Sequence, residues 1–284
     1  MRAALRQRLL SSPLAGPASV ADKPDAGREA IRRIASRLLE PLVPRPRVRT
    51  DLRPDYATIG VYRQHNGSRL HDFLAGGGTS GDVLLWALDA PHDALADRTL
   101  GTGPGTRFTL LNRLVAQLGP APDRWLVVAD DDVVFTHGTP DEAVALAALA
   151  ALDVSQPSHV RGSHLNWDVS RHRIGSRARL VRYVDQGPLL ILSPLGQRRV
   201  LPFPESLGMG WGVEVLWAAE GDMRMGVLDG VRINHLIAAG GHYNVDEQWE
   251  QAERLREAHG WPSWADLQRE TARWRSRSPL PPWL

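Results

Sequence analysis

Residues 125–135 read Trp125-Leu126-Val127-Val128-Ala129-Asp130-Asp131-Asp132-Val133-Val134-Phe135. The unbroken apolar run from Trp125 to Ala129 fits a strand covered on both faces, as strands are inside a parallel sheet. It stops at three carboxylates. Alternate side chains of extended backbone point the same way, so Asp130 and Asp132 are expected on one side and Asp131 on the other. Ligands of α/β sheets sit outside the carboxyl ends of the strands, which makes the triplet the expected site. Two carboxylates there suit a hard divalent cation, Mn²⁺ or Mg²⁺, itself bound to diphosphate oxygens. Three adjacent acids beside an apolar run repel one another unless a cation or basic partner offsets them. A turn with helix-capping aspartates is the plainer reading.

Around this stretch, strands and helices alternate from Tyr56 onward, which implies an α/β fold with a mostly parallel, Rossmann-like central sheet flanked by helices. Ala57–Tyr62, Val83–Leu88, Val181–Gln186, Leu189–Leu192, Met225–Leu228 and Val231–His235 read as strands. Helices are predicted over Arg107–Leu118, with Phe108, Leu111, Leu114, Val115 and Leu118 on one face, and over Asp141–Leu152, Glu214–Ala219, Val245–His259 and Ser263–Trp274. Residues 65–78 read as loop with a short helix. Three regions follow: a leader at 1–50, a catalytic domain at 51–244 and a C-terminal helical extension at 245–284. The domain divides into a nucleotide-binding half at about 51–135 and a smaller acceptor half at about 136–244.

Of the 284 residues, 43% are hydrophobic and 23% charged, an ordinary globular composition. The chain has no cysteine, which excludes disulfides, Cys-ligated zinc, iron–sulfur clusters and thiol nucleophiles. Lys23 is its one lysine, against 33 arginines. Schiff-base enzymes and P-loop NTPases need a lysine beside the reacting group, and Lys23 lies in the Pro/Ala/Gly-rich leader. The arginines are spread among acids, so nucleic acid is not an expected partner. No run approaches the roughly 18 apolar residues of a membrane span, and a cytoplasmic location is expected. Within the leader, residues 27–40 form a basic amphipathic stretch, with Ile31, Ile34, Ala35, Leu38 and Leu39 sharing a face near Arg28, Arg32, Arg33 and Arg37. It fits either peripheral contact with an anionic membrane or packing on the chain's own domain.

Further polar and aromatic constellations lie downstream. Gly208-Met209-Gly210-Trp211-Gly212-Val213-Glu214 combines glycines that permit close backbone approach with an indole platform of the sort sugars stack on. Glu214, opening a helix, is placed to accept a proton from an attacking hydroxyl or simply to cap that helix. His235 ends a strand after Gly226-Val227-Leu228-Asp229, with His242 as second choice for the same metal-ligand role. Arg107 and Asn112, on the helix after Gly101-x-Gly103-x-Gly105, and Arg63 are candidates to meet donor phosphate. Ser155-Gln156-Pro157-Ser158-His159 and His164-Leu165-Asn166-Trp167 line an acceptor pocket or are plain loop.

In their order, the acidic triplet, the Gly-Trp-Gly-x-acid loop and the strand-closing histidine resemble the GT-A class of nucleotide-sugar-dependent glycosyltransferases. From Trp125 to about Gly241 the chain is similar to a glycosyltransferase-like family of plants and bacteria. The matching residues are Asp130-Asp131-Asp132, Ser155-Gln156-Pro157, Trp211-Gly212-Val213-Glu214, Glu220-Gly221-Asp222, Gly226-Val227-Leu228-Asp229 and His235. Residues 1–55 and 245–284 lie outside it. The resemblance implies a GT-A fold, a nucleotide-diphosphate sugar donor, a Mn²⁺ or Mg²⁺ ion and a glycan, lipid or small-molecule acceptor. It implies Asp130, Asp132 and His235 at the metal, Asp130 with Asp131 at the donor, and Glu214 as base of an inverting transfer, while Arg107, Arg63 and Asn112 remain donor candidates on their own reading. Trp211, Gly212, His164, Trp167 and His242 would line the acceptor. The family more often has Asp where Glu214 stands, and the galactosyltransferase-like loop has an Asp where Val215 follows.

Two other classes share parts of this pattern. Haloacid-dehalogenase-type phosphohydrolases also carry Asp-x-Asp after a buried strand, with Asp130 then as nucleophile and Asp132 as acid and base. That chemistry needs a downstream lysine, and none follows Asp132. A non-catalytic nucleotide- or glycan-binding module is the other, against which the intact Asp130, Asp132, Glu214 and His235 weigh.

Overall fold

The computed structural model describes residues 52, 54–77, 81–119, 121–237 and 244–284. The leader, its amphipathic stretch at 27–40, Gly78 and His242 lie outside the described residues. Strands β1 (Tyr56–Tyr62), β2 (Val83–Ala87), β3 (Thr99–Thr102), β4 (Trp125–Ala129), β5 (Val133–His137), β6 (Val154–His159), β7 (Ser176–Val181), β8 (Leu189–Leu192), β9 (Met225–His235) and β10 (Glu270–Arg275) build one sheet. Its order is β10-β7-β9-β6-β8-β4-β1-β2-β3, with β5 pairing β9 off this path. Strands β3, β2, β1 and β4 form the parallel half. Beyond them β6, β9 and β10 keep the same direction while β5, β7 and β8 oppose it.

The helices are α1 (Gly67–Ala75), α2 (Arg107–Gln117), α3 (Pro140–Leu149), α4 (Pro194–Val200), α5 (Val213–Ala219), α6 (Val245–Ala258) and α7 (Trp264–Leu267). The apolar run of β4 is continuous because its two faces meet different cores. Leu126 and Val128 pack with Phe108, Leu111 and Leu114 of α2 and with Val213, Val215 and Trp217 of α5. Val127 and Ala129 pack on the other side, with Leu70, Phe73 and Leu74 of α1 and Val144, Leu146 and Ala147 of α3. Helix α3 starts where Thr139 accepts the Glu142 N–H at 3.2 Å, with Pro140 in the first turn. No helix among the described residues is long and apolar enough to cross a membrane.

The structure corrects several sequence expectations. Of the strand expected over Val181–Gln186, residues 182–186 are loop, because β7 ends at Val181 and Tyr183 and Val184 fill the core from irregular backbone. Met225–His235 is one strand, since Asp229 is held inside the sheet by an ion pair instead of turning the chain. Ser155–His159 is part of β6, buried along its length between β8 and β9, and is no acceptor loop. The helix predicted over Ser263–Trp274 is only the short α7. The residues that follow are claimed by antiparallel pairing with β7, a tertiary effect that overrides local propensity. Residues 67–75, expected as loop with a short helix, form the whole of α1, while β3 and β5 were not read as strands at all.

One buried ion pair stitches the mixed half of the sheet. Arg179 of β7 donates from Nε to Asp229 Oδ2 of β9 at 2.7 Å, and both side chains are essentially without solvent contact. The Arg173 N–H adds a 2.9 Å bond to Asp229 Oδ1. Burial alone would raise the Asp229 pKa, but Arg179 overrides it and holds the carboxyl below its ordinary value. The resulting stabilisation is present above the ordinary carboxylate range and is lost as pH falls through the lowered value. Arg179→Leu leaves the buried Asp229 carboxylate without its arginine, with His172 and the Arg173 N–H beside it, and is expected to cost about 3–5 kcal/mol, with Arg179→Leu/Asp229→Leu recovering part of it. Denaturant melts of the two variants check this, and a single variant as stable as the parent would show that the pair does not hold the sheet.

Candidate functional site

The carboxyl ends of β1 and β4 lie side by side, and the acidic triplet leaves β4 there. Asp131 turns to the β1 side, where its Oδ2 accepts the Arg63 N–H at 2.7 Å. Burial raises its pKa, while the Arg63 N–H and the Asn66 side chain oppose the rise. Asp130 turns the other way and meets Arg107, whose Nε and a terminal nitrogen bond Oδ1 at 3.1 and 2.9 Å. The Asp130 pKa is raised, by burial first and by Asp132, against the pull of Arg107. Asp130 and Asp131 thus take opposite partners, although the chain has left the strand at Asp130 and turns at Asp131-Asp132.

Asp132 finds His235 because β5 and β9 pair with Val133 opposite His235. His235 Nε2 lies 3.0 Å from Asp132 Oδ2. On its other side His235 Nδ1 donates to the His164 carbonyl at 3.1 Å, which directs Nε2 toward the carboxylate. Burial would lower the His235 pKa, but the hydrogen bond and charge of Asp132, with Asp130 and Asp185 behind, raise it. Ser163 Oγ accepts the His235 N–H at 2.8 Å and bonds His159 Nδ1 at 2.8 Å. Fully buried, and repelled by a charged His235, His159 is pushed down to about 3 and stays neutral.

Oxygen from Asp132 and nitrogen from His235 are donors suited to Mn²⁺ or Mg²⁺. Asp130, the third expected ligand, is engaged by Arg107, and among the described residues no cluster of three or more His, Asp and Glu side chains is assembled for a metal. The set fits an ion that takes two protein ligands and completes its shell with phosphate oxygens, as Mg²⁺ sites commonly do.

Arg107 extends the site toward a second group. It donates to the Gln186 side-chain oxygen and, at 3.2 Å, to the Gln186 carbonyl. The Gln186 N–H in turn reaches Glu214 Oε1 at 3.3 Å, and Tyr183 OH donates to the same oxygen at 3.4 Å. Glu214 sits buried in the first turn of α5 and is pushed up to about 8, by burial and then by the charge of Asp185. Asp185 is raised to about 6 by burial, held back by His235, the Gly187 N–H and Arg107. Both carboxylates line a cleft with Trp167, Trp211, Trp249 and Trp264.

The glycines of the Gly208–Gly212 loop serve packing. Gly210 has φ +95°, and a Cβ there would meet Phe108 at 2.5 Å and Gln186 at 2.9 Å. Gly212, at φ +86°, would meet Ala252 of α6 at 2.9 Å. Close backbone approach was expected to serve a ligand; here it seats Gln186 and α6, although Gly212 does line the cleft.

Asp130, Asp132, His235 and Arg107 are thus brought together, with Trp167, Trp211, Gly212 and Glu214 around the adjoining cleft. Arg63 contributes its backbone N–H. The amide of Asn112 is spent on the backbone of Phe203, accepting and donating at 2.8 Å, so it clamps α2 to the 203–205 segment instead of facing the triplet. His164 contributes its carbonyl, its ring lying edge-on to His235. Sequence reasoning missed Asp185, Gln186, Trp249 and Trp264. The Asp185-Gln186-Gly187-Pro188 run carries a turn signal that marks the loop; nothing local marks the two tryptophans.

No protein-family model matches this chain. No curated protein matches it either. Solved structures do. Over 87% of this chain the fold is similar to GalNAc-T7 with UDP, GalNAc and Mn²⁺, covering 66% of that chain at TM-score 0.50 and 9% identity. Over 72% it is similar to S. aureus TarS 1-349 with UDP-GlcNAc, covering 66% of that chain at TM-score 0.50 and 13% identity. The TarS 1-349 complex with UDP gives TM-score 0.48 and 13% identity, with 72% and 65% covered. The chain therefore spans about 65% of the length of the structures it matches. Its fold is α/β of the GT-A-like kind: a central, mostly parallel sheet with helices on both faces.

Proposed function

We propose that this chain is a metal-dependent glycosyltransferase, moving a sugar from a nucleotide-diphosphate donor to an acceptor hydroxyl with inversion. The observation that carries the reading is two sets of contacts that start two residues apart after β4, the pair Asp132–His235 and the chain Asp130–Arg107–Gln186–Glu214. Together they join a pair of metal-type ligands, a cation for phosphate and a carboxylate of raised pKa. Asp132 and His235 would hold the ion, which when bound neutralises the departing diphosphate. Arg107, whose fork is held by Asp130 and Gln186, contributes a fixed positive charge beside the donor phosphates rather than a free bidentate contact. Trp211 supplies a face for a sugar ring. Ionised Glu214, oriented by the Gln186 N–H and Tyr183 OH, takes the proton of the acceptor hydroxyl. That oxygen bonds the anomeric carbon as the bond to diphosphate breaks, and the nucleotide diphosphate leaves.

The donor half is tested by calorimetry with UDP and UDP-GlcNAc in Mn²⁺ and in EDTA. Affinity is expected to fall at least about tenfold on chelation, and Asp132→Ala and His235→Ala should each remove most of that difference. Equal nucleotide affinity in EDTA and Mn²⁺ would sink the metal site.

Glu214 is tested by pH. Its folded pKa of about 8 lies above its ordinary 4.5. Stability from this group is therefore complete below the ordinary value and is lost as pH rises through about 8. Glu214→Gln should melt above the parent at pH 9 and near it at pH 5. Only ionised Glu214 is a base, so parent turnover should climb with pH up to the same region, whereas Glu214→Gln should lose about 10²–10⁴-fold in rate with donor affinity kept. A stable Glu214→Gln protein with parental turnover removes Glu214 from the chemistry; one that binds donor without any turnover in the parent is the binding-module outcome.

A further inference from the structure

We infer that the cleft walled by Trp167, Trp211, Trp249 and Trp264 takes a ligand carrying a protonated amine, which under the transfer reading above is the acceptor. Its walls come from four separate segments, the last of them from α6 and α7 in the C-terminal part of the chain. Trp167 and Trp264 stack at 5.4 Å between ring centroids, and Trp249 lies 5.3 Å from Trp264. Trp264 is fixed from behind, its indole N–H donating to Glu253. Trp167 and Trp264 take up one face of each other, which leaves Trp211 and Trp249, 6.5 Å apart and near-perpendicular, as the indoles that can offer a negative ring face to a cation.

The charge of the cleft has the same sign preference. Asp185 and Glu214 are the carboxylic acids among its lining residues, and no lysine or arginine among the described residues lines it. Neither carboxylate makes an ion pair among the described residues. Asp185 accepts from the Asn166 amide at 3.2 Å and the Gly187 N–H at 3.3 Å, and Glu214 accepts from the Gln186 N–H and Tyr183 OH. The nearest cations are committed elsewhere, Arg107 to Asp130 and His235 to Asp132. A neutral sugar stacks on indoles equally well but leaves the buried Asp185 carboxylate without a counter-ion, whereas an ammonium group serves both features at once.

Because the amine claim rests on the transfer reading only for the word acceptor, binding and nucleotide use are measured separately on the full chain. Methyl glucosaminide, its N-acetyl derivative and methyl glucoside are titrated at pH 7 with tryptophan fluorescence and calorimetry as readouts. The charged glycoside is expected to bind at least about tenfold tighter than either neutral one. Asp185→Asn should erase that preference, and Trp249→Leu, on a partly exposed helix position, should weaken the charged ligand should the first variant not fold. Equal affinity for the neutral glycosides, or saturation by none of the three, overturns the inference. If the amine preference stands while UDP with Mn²⁺ does not bind, the cation cleft survives and the glycosyltransferase reading falls.

Discussion

The guanidinium of Arg107 is the joint on which the site turns. It sits at the first position of α2, where it is buried, and holds at once the end of β4 through Asp130 and the loop after β7 through Gln186. Those two segments come from different halves of the sheet, separated in sequence by β5, β6 and β7. Without a fixed cation there, Asp130 would lose its counter-charge beside Asp132, whose own partner is His235. Gln186, once placed, positions the rest: its amide reaches the Met209 carbonyl and its N–H reaches Glu214. Gly210 is a glycine because a side chain at φ +95° would collide with Gln186 and Phe108, the neighbours of this joint.

What could be read along the chain follows from how local each determinant is. β4 and the triplet are legible because burial on two faces demands an apolar run, and because neighbouring side chains at the strand end, Asp130 and Asp131, go to opposite sides. His235 is legible as the polar end of an apolar strand. Its meeting with Asp132 is not, since it depends on β5 pairing β9 through a ladder with a register shift. β6 escaped because Ser155, Gln156, Ser158 and His159 have the composition of loop, and only its place between two neighbours buries them.

The cleft was the least legible part, for the same reason. Trp249 and Trp264 belong to a segment with no motif, and they reach Trp167 and Trp211 only because Gly212 lets α6 approach α5 to within backbone contact. Beyond α7 the chain returns to the sheet as β10 and is anchored against β7, with Trp274 buried. Anchoring on both sides fixes where the indoles stand. A helix packed only at its own surface would leave them free to reorient.

Taken together, the carboxylates of this region outnumber its cations. Arg107 and His235 answer Asp130 and Asp132, and Asp185 and Glu214 are left to amides, N–H groups and a phenol. Burial first, and for Glu214 the charge of Asp185 next, makes the pair hold its protons to higher pH than ordinary carboxylates, to about 6 and about 8. The core packing of β4, α2 and α5 has to outweigh that residual repulsion in the free protein. Positive charge brought to the cleft favours the ionised form of both groups and lowers the pH at which Glu214 can act as a base.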